Sequence, residues 1–246
     1  MNTNAPDGIL LVNKPQWETS HDVIAKIRKF LGIKKVGHAG TLDPMATGLL
    51  LVLIGHATKI SQRLINLPKC YSGTMKLGVS TDSHDTEGTV TKTCDLKNVT
   101  IENITAVAKE FIGEQQQIPP MFSAKKINGQ KLYNLARKGK IVERKPQLIV
   151  VDKFEIVDFH GDEVKFVIHC SKGTYVRTIA NDFGERLQCG AHLIQLCRTN
   201  IGNFSLKNAL AIEQIVAMSP SEFAEQLVDT EQAIPLQIYL EEGKNA

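Results

Sequence analysis

No run of apolar residues in the 246-residue sequence exceeds the six at 49–54, far short of the roughly 20 that a membrane-spanning helix requires. The first eight residues hold no basic stretch followed by an apolar one, so no secretory signal is read and a cytoplasmic protein without membrane contact is expected. The five cysteines are odd in number and irregularly spaced, with no C-x-x-C pair. That argues against a disulfide framework and a thiolate zinc site, and leaves reduced, mostly buried thiols. The histidines form neither H-x-H nor H-x-x-x-H, and the acidic loop STDSHDTEG at 80–88 breaks EF-hand spacing, so no metal site is expected. G-x-x-x-x-G-K-[ST] and G-x-G-x-x-G are both missing, which removes the usual handle for nucleotide cofactors. Without a G-x-S-x-G elbow, acyl transfer on a serine is disfavoured.

What is present is ordinary globular material, 42% apolar and 22% charged, long enough for one large domain or one domain with a small appendage. The formal net charge of +3 is unevenly spread. Residues 1–63 carry eight Lys/Arg against four Asp/Glu, residues 125–145 carry eight against one, and residues 220–246 carry one against six. A short strand is read at 9–13, then a helix capped by Ser20 with Val23, Ile24, Ile27 and Leu31 inward and Gly32 past its end. The glycine-rich segment GHAGTLDPMATG at 37–48 reads as a structured loop, and 49–54 as a buried strand. Residues 69–77 alternate, with Tyr71 on the apolar side. Thr100 caps a second helix with Ile104, Val107, Ala108, Phe111 and Ile112 inward, and a loop opens at Gln115. A turn at Asn128-Gly129 precedes a short basic helix ending at Gly139. A hairpin turns at Gly161-Asp162, and a last helix carries Val176, Ile179, Ala180, Phe183 and Leu187 inward with Arg177 beside that stripe. Strands and helices mix without regular βαβ alternation, so the fold class is α+β with a largely antiparallel sheet.

Four residues invite a chemical reading, and each has a plainer one. Asp43 stands in the glycine-rich loop before Pro44, which biases its backbone away from the helical region and so presents a carboxylate from an extended frame. Taken alone, an Asp-Pro pair is usually a turn. His38 in the same loop suits a phosphate or a base, yet a histidine among glycines is more often a hydrogen-bonded loop residue. Tyr71 alone is a core aromatic, and Arg177 alone a helix-edge charge.

Five blocks change those odds: GILLVNKPQWETS (8–20), GHAGTLDPMATGLLLVLIGHATK (37–59), KCYSGTMKLGVSTDSHDTEG (69–88), IPPMFSAKKINGQKLYNLARKG (118–139) and SKGTYVRTIANDFGERLQCGAHLIQLCRT (171–199). In this order they closely resemble the bacterial TruB family of tRNA pseudouridine synthases, and the likeness runs from about residue 8 to 215. The resemblance implies the pseudouridine synthase fold, a mixed sheet crossed by an active-site cleft. It implies Asp43 as the catalytic aspartate, Tyr71 as the aromatic that stacks on the target uracil, and Arg177 as the partner of Asp43. Leu193 falls where the family lines the base pocket with an apolar residue, His38 on an RNA-contacting histidine, and Asp85 in the acidic loop near the substrate.

Lys125, Lys126, Lys131, Arg137 and Lys138 of the basic stretch are read as phosphate contacts, in a 115–145 insertion that clamps RNA. Residues 8–215 are then the catalytic domain, and 216–246 an acidic extension in place of the PUA-type domain of many bacterial members. The implied reaction is isomerisation of uridine 55 in the T-loop of tRNA, on a flipped-out base, by a monomer that needs neither cofactor nor protein partner. Two alternatives stand beside it: a guide-RNA-directed pseudouridine synthase, and a tRNA-folding chaperone with incidental catalysis.

Overall fold

The structure, a computed structural model, describes residues 6–123, 125–127 and 129–230, without the side chains of residues 126 and 131. In chain order the first elements are β1 (Gly8–Lys14), α1 (Ser20–Leu31), β2 (Val36–Ala39), β3 (Thr47–Ile54), α2 (Ser61–Asn66), β4 (Lys69–Leu77), β5 (Val79–Thr81), β6 (Val90–Thr93), α3 (Ile101–Glu110) and β7 (Gly113–Gln117). They are followed by β8 (Lys126–Ile127), β9 (Gln130–Lys131), α4 (Leu132–Ala136), β10 (Gln147–His160), β11 (Glu163–Cys170), α5 (Val176–Arg186), β12 (Ala191–Ile201), β13 (Phe204–Ser205), α6 (Ile212–Val216) and α7 (Pro220–Glu225). No helix among the described residues is long and apolar enough to cross a membrane. The residues form two compact units: one takes the chain up to Lys69 and again from Cys197, the other is Cys70–Leu196.

In the first unit β1 runs antiparallel to β3 in register from Gly8↔Ile54 to Lys14↔Gly48. The other edge of β3 is shared. β2 pairs antiparallel with its Leu51–Ile54 half, and β12 pairs parallel at Cys197↔Thr47 and Arg198↔Gly48. Alternate residues of β1 and β3 enter two separate cores. Leu10, Val12, Leu50, Val52 and Ile54 pack with Val23, Ile24 and Ile27 of α1 and with Ile212, Ile215 and Phe223 of α6 and α7. Ile9, Leu11, Leu49, Leu51 and Leu53 pack with Ala57, Leu64, Leu67 and Ile201. Both faces of β3 are therefore buried, which is why its sequence is an unbroken apolar run and not an alternation.

In the second unit the strand order runs from β12 through β4, β11 and β10 to β7. β10 and β11 form the hairpin read around Gly161-Asp162, closed at His160↔Glu163. Phe111, Phe154, Phe166 and Phe183 pack ring against ring, with centroids 5.5–6.0 Å apart. The mixed, mostly antiparallel sheet with flanking helices is the α+β class read from the sequence.

Several local readings are corrected. Thr19, not Ser20, caps α1: its hydroxyl accepts from Asp22 N while the Asp22 carboxylate accepts from Thr19 N, a reciprocal capping box. The loop read at 37–48 begins inside β2, because the free half-edge of β3 recruits Gly37, His38 and Ala39 as a strand. The loop read from Gln115 is the edge strand β7, which pairs with β10 from Gln147↔Gln117 to Val151↔Gly113 and needs no apolar alternation to do so. Ile112 lies past the end of α3 and is exposed. Of the five thiols, Cys170 and Cys189 are buried and the other three half-buried.

Candidate active site

Asp43 is held from both sides by groups that no local sequence pattern connects to it. Ser20, the first residue of α1, is buried, and its hydroxyl takes the Leu42 N–H at 2.9 Å and donates to the Leu42 carbonyl at 3.3 Å. On the other side the Pro44 carbonyl accepts from Trp17 N (2.7 Å) and from Lys14 Nζ (3.2 Å). Lys14 also donates to the carbonyls of Pro15 (2.8 Å) and Glu18 (2.6 Å), so all three protons of its fully buried ammonium find oxygen. Burial drives its pKa down to about 8, while the charges of Glu18 and Asp43 oppose that fall. The carboxylate is thus within the field of a buried cation.

Arg198 braces the shoulders of the same segment. It is only 1% exposed and gives Nε to Leu49 O (2.8 Å), Nη2 to Gly40 O (3.0 Å) and Nη1 to Thr41 O (3.4 Å). One planar group therefore ties the chain before Asp43 to the chain after it. Gly48 is what lets the two strands come together: its φ is +101°, and a Cβ there would lie 2.4 Å from Arg198 O. Arg198→Lys leaves at least one of these buried carbonyls without a donor, at about 1–3 kcal/mol each. We expect the variant to melt several degrees lower, at about 2–4 °C per kcal/mol for a chain of this size. An unchanged melting temperature by calorimetry would mean that the fork carries no load.

His38 lies on β2, half-buried. Burial and the neighbouring charge of Arg198 hold its pKa below the ordinary histidine value, which favours a neutral ring.

The second unit gathers Arg177, Asp85 and Leu193. Arg177 was read as standing beside the apolar stripe of its helix, yet it is 5% exposed, because its guanidinium is taken up by polar partners: Asp85 Oδ2 at 3.3 Å and the Phe122 carbonyl at 2.5 Å. Asp85, 2% exposed, also accepts from Ser83 Oγ and from Glu87 N. Leu193 is buried and bridges to Asp85, its N–H reaching the His84 carbonyl at 2.9 Å. The start of α5, from which Arg177 projects, has no side-chain cap of its own. Gln117 instead fixes the backbone of Tyr175, the residue before the helix, accepting from Tyr175 N at 2.8 Å and donating to Tyr175 O at 3.1 Å. Tyr71 sits on the buried face of β4, 8% exposed. Gly73, next on that side, meets β11 so closely that an added Cβ would lie 2.6 Å from Phe166.

The basic segment is less helical than read. β8 and β9 pair Ile127↔Gln130 and Lys126↔Lys131 around the expected turn, in which Asn128 lies outside the described residues, as do the side chains of Lys126 and Lys131. α4 ends at Ala136, so Arg137 and Lys138 lie exposed in the turn that follows it, with the Arg137 guanidinium 5.6 Å from the Tyr133 ring centre. Lys125 donates to Gln147 Oε1 at 3.0 Å.

Asp43 and His38 therefore belong to the first unit, and Tyr71, Asp85, Arg177, Leu193 and the basic segment to the second. Arg198, Ser20 and Gln117 were not singled out as site residues, and Lys14 was not read as touching the Asp43 loop. The one available signal was a buried-type strand, AHLIQLCRTNI, carrying an arginine.

The chain matches the model of the TruB family pseudouridylate synthase N-terminal domain over residues 28–176, and that of the tRNA pseudouridylate synthase B C-terminal domain over 177–236. It is 50% identical over 229 residues to a tRNA pseudouridine synthase B of Opitutus terrae, covering 93% of this chain and 95% of the relative. A second relative of that description, from Syntrophotalea carbinolica, is 43% identical over 93% of this chain and 74% of its own length. Among solved structures, a chain in the crystal structure of a Cbf5-Nop10-Gar1 complex superposes with a TM-score of 0.74 at 28% identity, over 94% of this chain and 62% of that one. With both family models matched in order and a 50% identical relative covered over 95% of its length, the chain belongs to the TruB family of pseudouridine synthases.

Proposed function

We propose that this protein isomerises uridine to pseudouridine at position 55 in the T-loop of tRNA, with Asp43 acting on a base turned out of the RNA stack. The observation that carries the reading is the fixed frame of Asp43. The peptide groups before and after it are pinned by Ser20, Trp17 and Lys14, and its shoulders by Arg198. A carboxylate held this way loses no geometry when it reacts, and the Lys14 ammonium in its field favours its ionised form. The reaction breaks the bond from uracil N1 to the ribose C1′ and forms one from C5 to C1′. The C5 proton leaves and N1 gains one, so no electrons or atoms are exchanged overall and no redox cofactor or energy source enters. An ionised Asp43 serves either by adding to the sugar or base or by taking a proton. The roles proposed for Arg177, as the cation of the carboxylate, and Tyr71, as the stacking surface for the uracil, follow the family resemblance. Residues 8–215 form the proposed catalytic region, with 115–145 as its RNA clamp.

Stacking on Tyr71 offsets part of an unstacking cost of a few kcal/mol. Tyr71→Phe is expected to keep RNA affinity, whereas Tyr71→Ala loses about 1–3 kcal/mol of it. Equal affinities for the two variants would remove stacking from the role of this residue, whatever their activities.

The direct test is pseudouridine mapping of unmodified tRNA, and of an isolated T-stem-loop, after incubation with the purified chain alone, with and without EDTA. Modification at position 55 in all four arms is expected. No product on free tRNA would favour the guide-directed reading, to which the likeness to the Cbf5 chain gives some weight. Product restored only by an added divalent ion would overturn the cofactor-free mechanism.

A further inference from the structure

A second group of cations lies in the first unit. The C-terminal turn of α1, the turn before β2, β2 itself and the residues leading into α2 surround an open cavity of about 420 Å3. Its polar lining is Arg28, Lys34, Lys35, His38, Thr58 and Ser61, and no lining residue is acidic. The cavity is built, because its walls are joined by hydrogen bonds. Arg28 Nη2 donates to Val36 O at 2.6 Å, Gly55 N to Lys35 O at 2.9 Å, and Thr58 Oγ1 to Gly55 O at 2.8 Å. Neither Arg28 nor either lysine has an acidic partner among the described residues, and Arg28 Nε is buried without a hydrogen-bond acceptor. Three like charges converging without a counter-charge raise one another's energy, and a buried N–H without an acceptor costs about 1–3 kcal/mol. An anion seated in the cavity relieves the repulsion.

We infer that this cavity binds a backbone phosphate of the RNA substrate, with Lys34 and Lys35 as its principal contacts and Arg28 and Ser61 as supporting donors. The occupant follows from position. His38 lines the cavity, and the strand that bears it leads in five residues to Asp43, a path of at most about 18 Å. An anion seated here is therefore within a few nucleotides of the reacting one. The inference rests on the proposed function for the identity of the polyanion. It adds to the RNA grip a group of cations outside the 125–145 segment, to which the charge count alone points.

The test compares Lys34→Gln/Lys35→Gln with a control pair, Lys92→Gln/Lys207→Gln, both exposed and outside the cavity. Binding of a T-arm hairpin is measured against salt, and turnover at saturating RNA is measured separately. Losing this one phosphate contact should flatten the slope of log affinity against log salt by about 0.7–0.9. KM should rise severalfold with kcat nearly unchanged, and the control pair should match the wild type. An unchanged slope, or an equal loss in the control pair, overturns the inference. The two readings fail separately: a wild-type chain that makes no pseudouridine, but whose salt slope on the hairpin is flattened by Lys34→Gln/Lys35→Gln and not by the control pair, sinks the proposed function and leaves the phosphate site standing.

Discussion

Asp43→Asn is expected to abolish pseudouridine formation while RNA affinity stays within about tenfold, or 1.4 kcal/mol. The structure sharpens the reason. The peptide groups around residue 43 are fixed by Ser20, Trp17, Lys14 and Arg198, none of which is replaced, and the Asp43 carbonyl accepts from Ala46 N at 3.1 Å whichever side chain is present. Asparagine therefore occupies the same place with the same shape and loses only the charge. The variant should fold normally and remain a clean binding-competent null. Removing that carboxylate also withdraws one of the three acidic charges, of Glu18, Asp43 and Asp22, that sustain the Lys14 ammonium, so Lys14 should titrate below its wild-type value of about 8. Turnover well above background in the Asn variant would take Asp43 out of the mechanism. Loss of folding would instead show that the carboxylate serves the buried lysine first.

The architecture was legible in proportion to how local its causes are. α1 was placed to within one residue because helical spacing of Val23, Ile24 and Ile27 and a glycine stop lie in one stretch of chain, and the error at Ser20 has a physical source. Two adjacent hydroxyl residues compete for the cap, and the one three residues before the carboxylate wins, as a capping box requires, freeing the other for Leu42. β2 and β7 were missed because edge strands made of glycine or glutamine owe their state to a partner strand far away in sequence. β12 escaped because His192 and Arg198 interrupt its apolar pattern, and both are buried by virtue of distant carbonyls, Val79 O for the histidine and Gly40, Thr41 and Leu49 for the arginine. The candidate site shows the same division. Asp43 and Tyr71 were singled out through family motifs, whereas the groups that hold the Asp43 loop are far from it in sequence and become visible only when the chain is folded.

Replacing Arg177 is the second change expected to be severe, and the two natural choices separate grip from charge. Lysine keeps the charge but cannot reach Asp85 and the Phe122 carbonyl as a planar fork does, and methionine leaves the Asp85 carboxylate buried with only Ser83 and Glu87 N–H to satisfy it. The Met variant should lose about 3–5 kcal/mol of stability, the cost of an uncompensated buried charge, and the Lys variant clearly less. Both should show severely reduced single-turnover rates.

His84 provides a readout that misfolding does not imitate. Burial, and next the Arg177 charge, push its pKa down from 6.5 to about 4. A histidine depressed in the folded state is protonated first in the unfolded chain. Its contribution is therefore complete above pH 6.5 and is lost as pH falls towards 4, at most about 3 kcal/mol in all. In the Met variant the His84 pKa should rise and the acid-induced loss of stability shrink, whereas in the Lys variant both should stay near wild type. Imidazole chemical shifts followed from pH 7.5 to 4 decide it. A His84 titration that does not move in the Met variant would refute the electrostatic coupling, and near wild-type turnover in the Lys variant would show that catalysis needs the charge of Arg177 but not its fork.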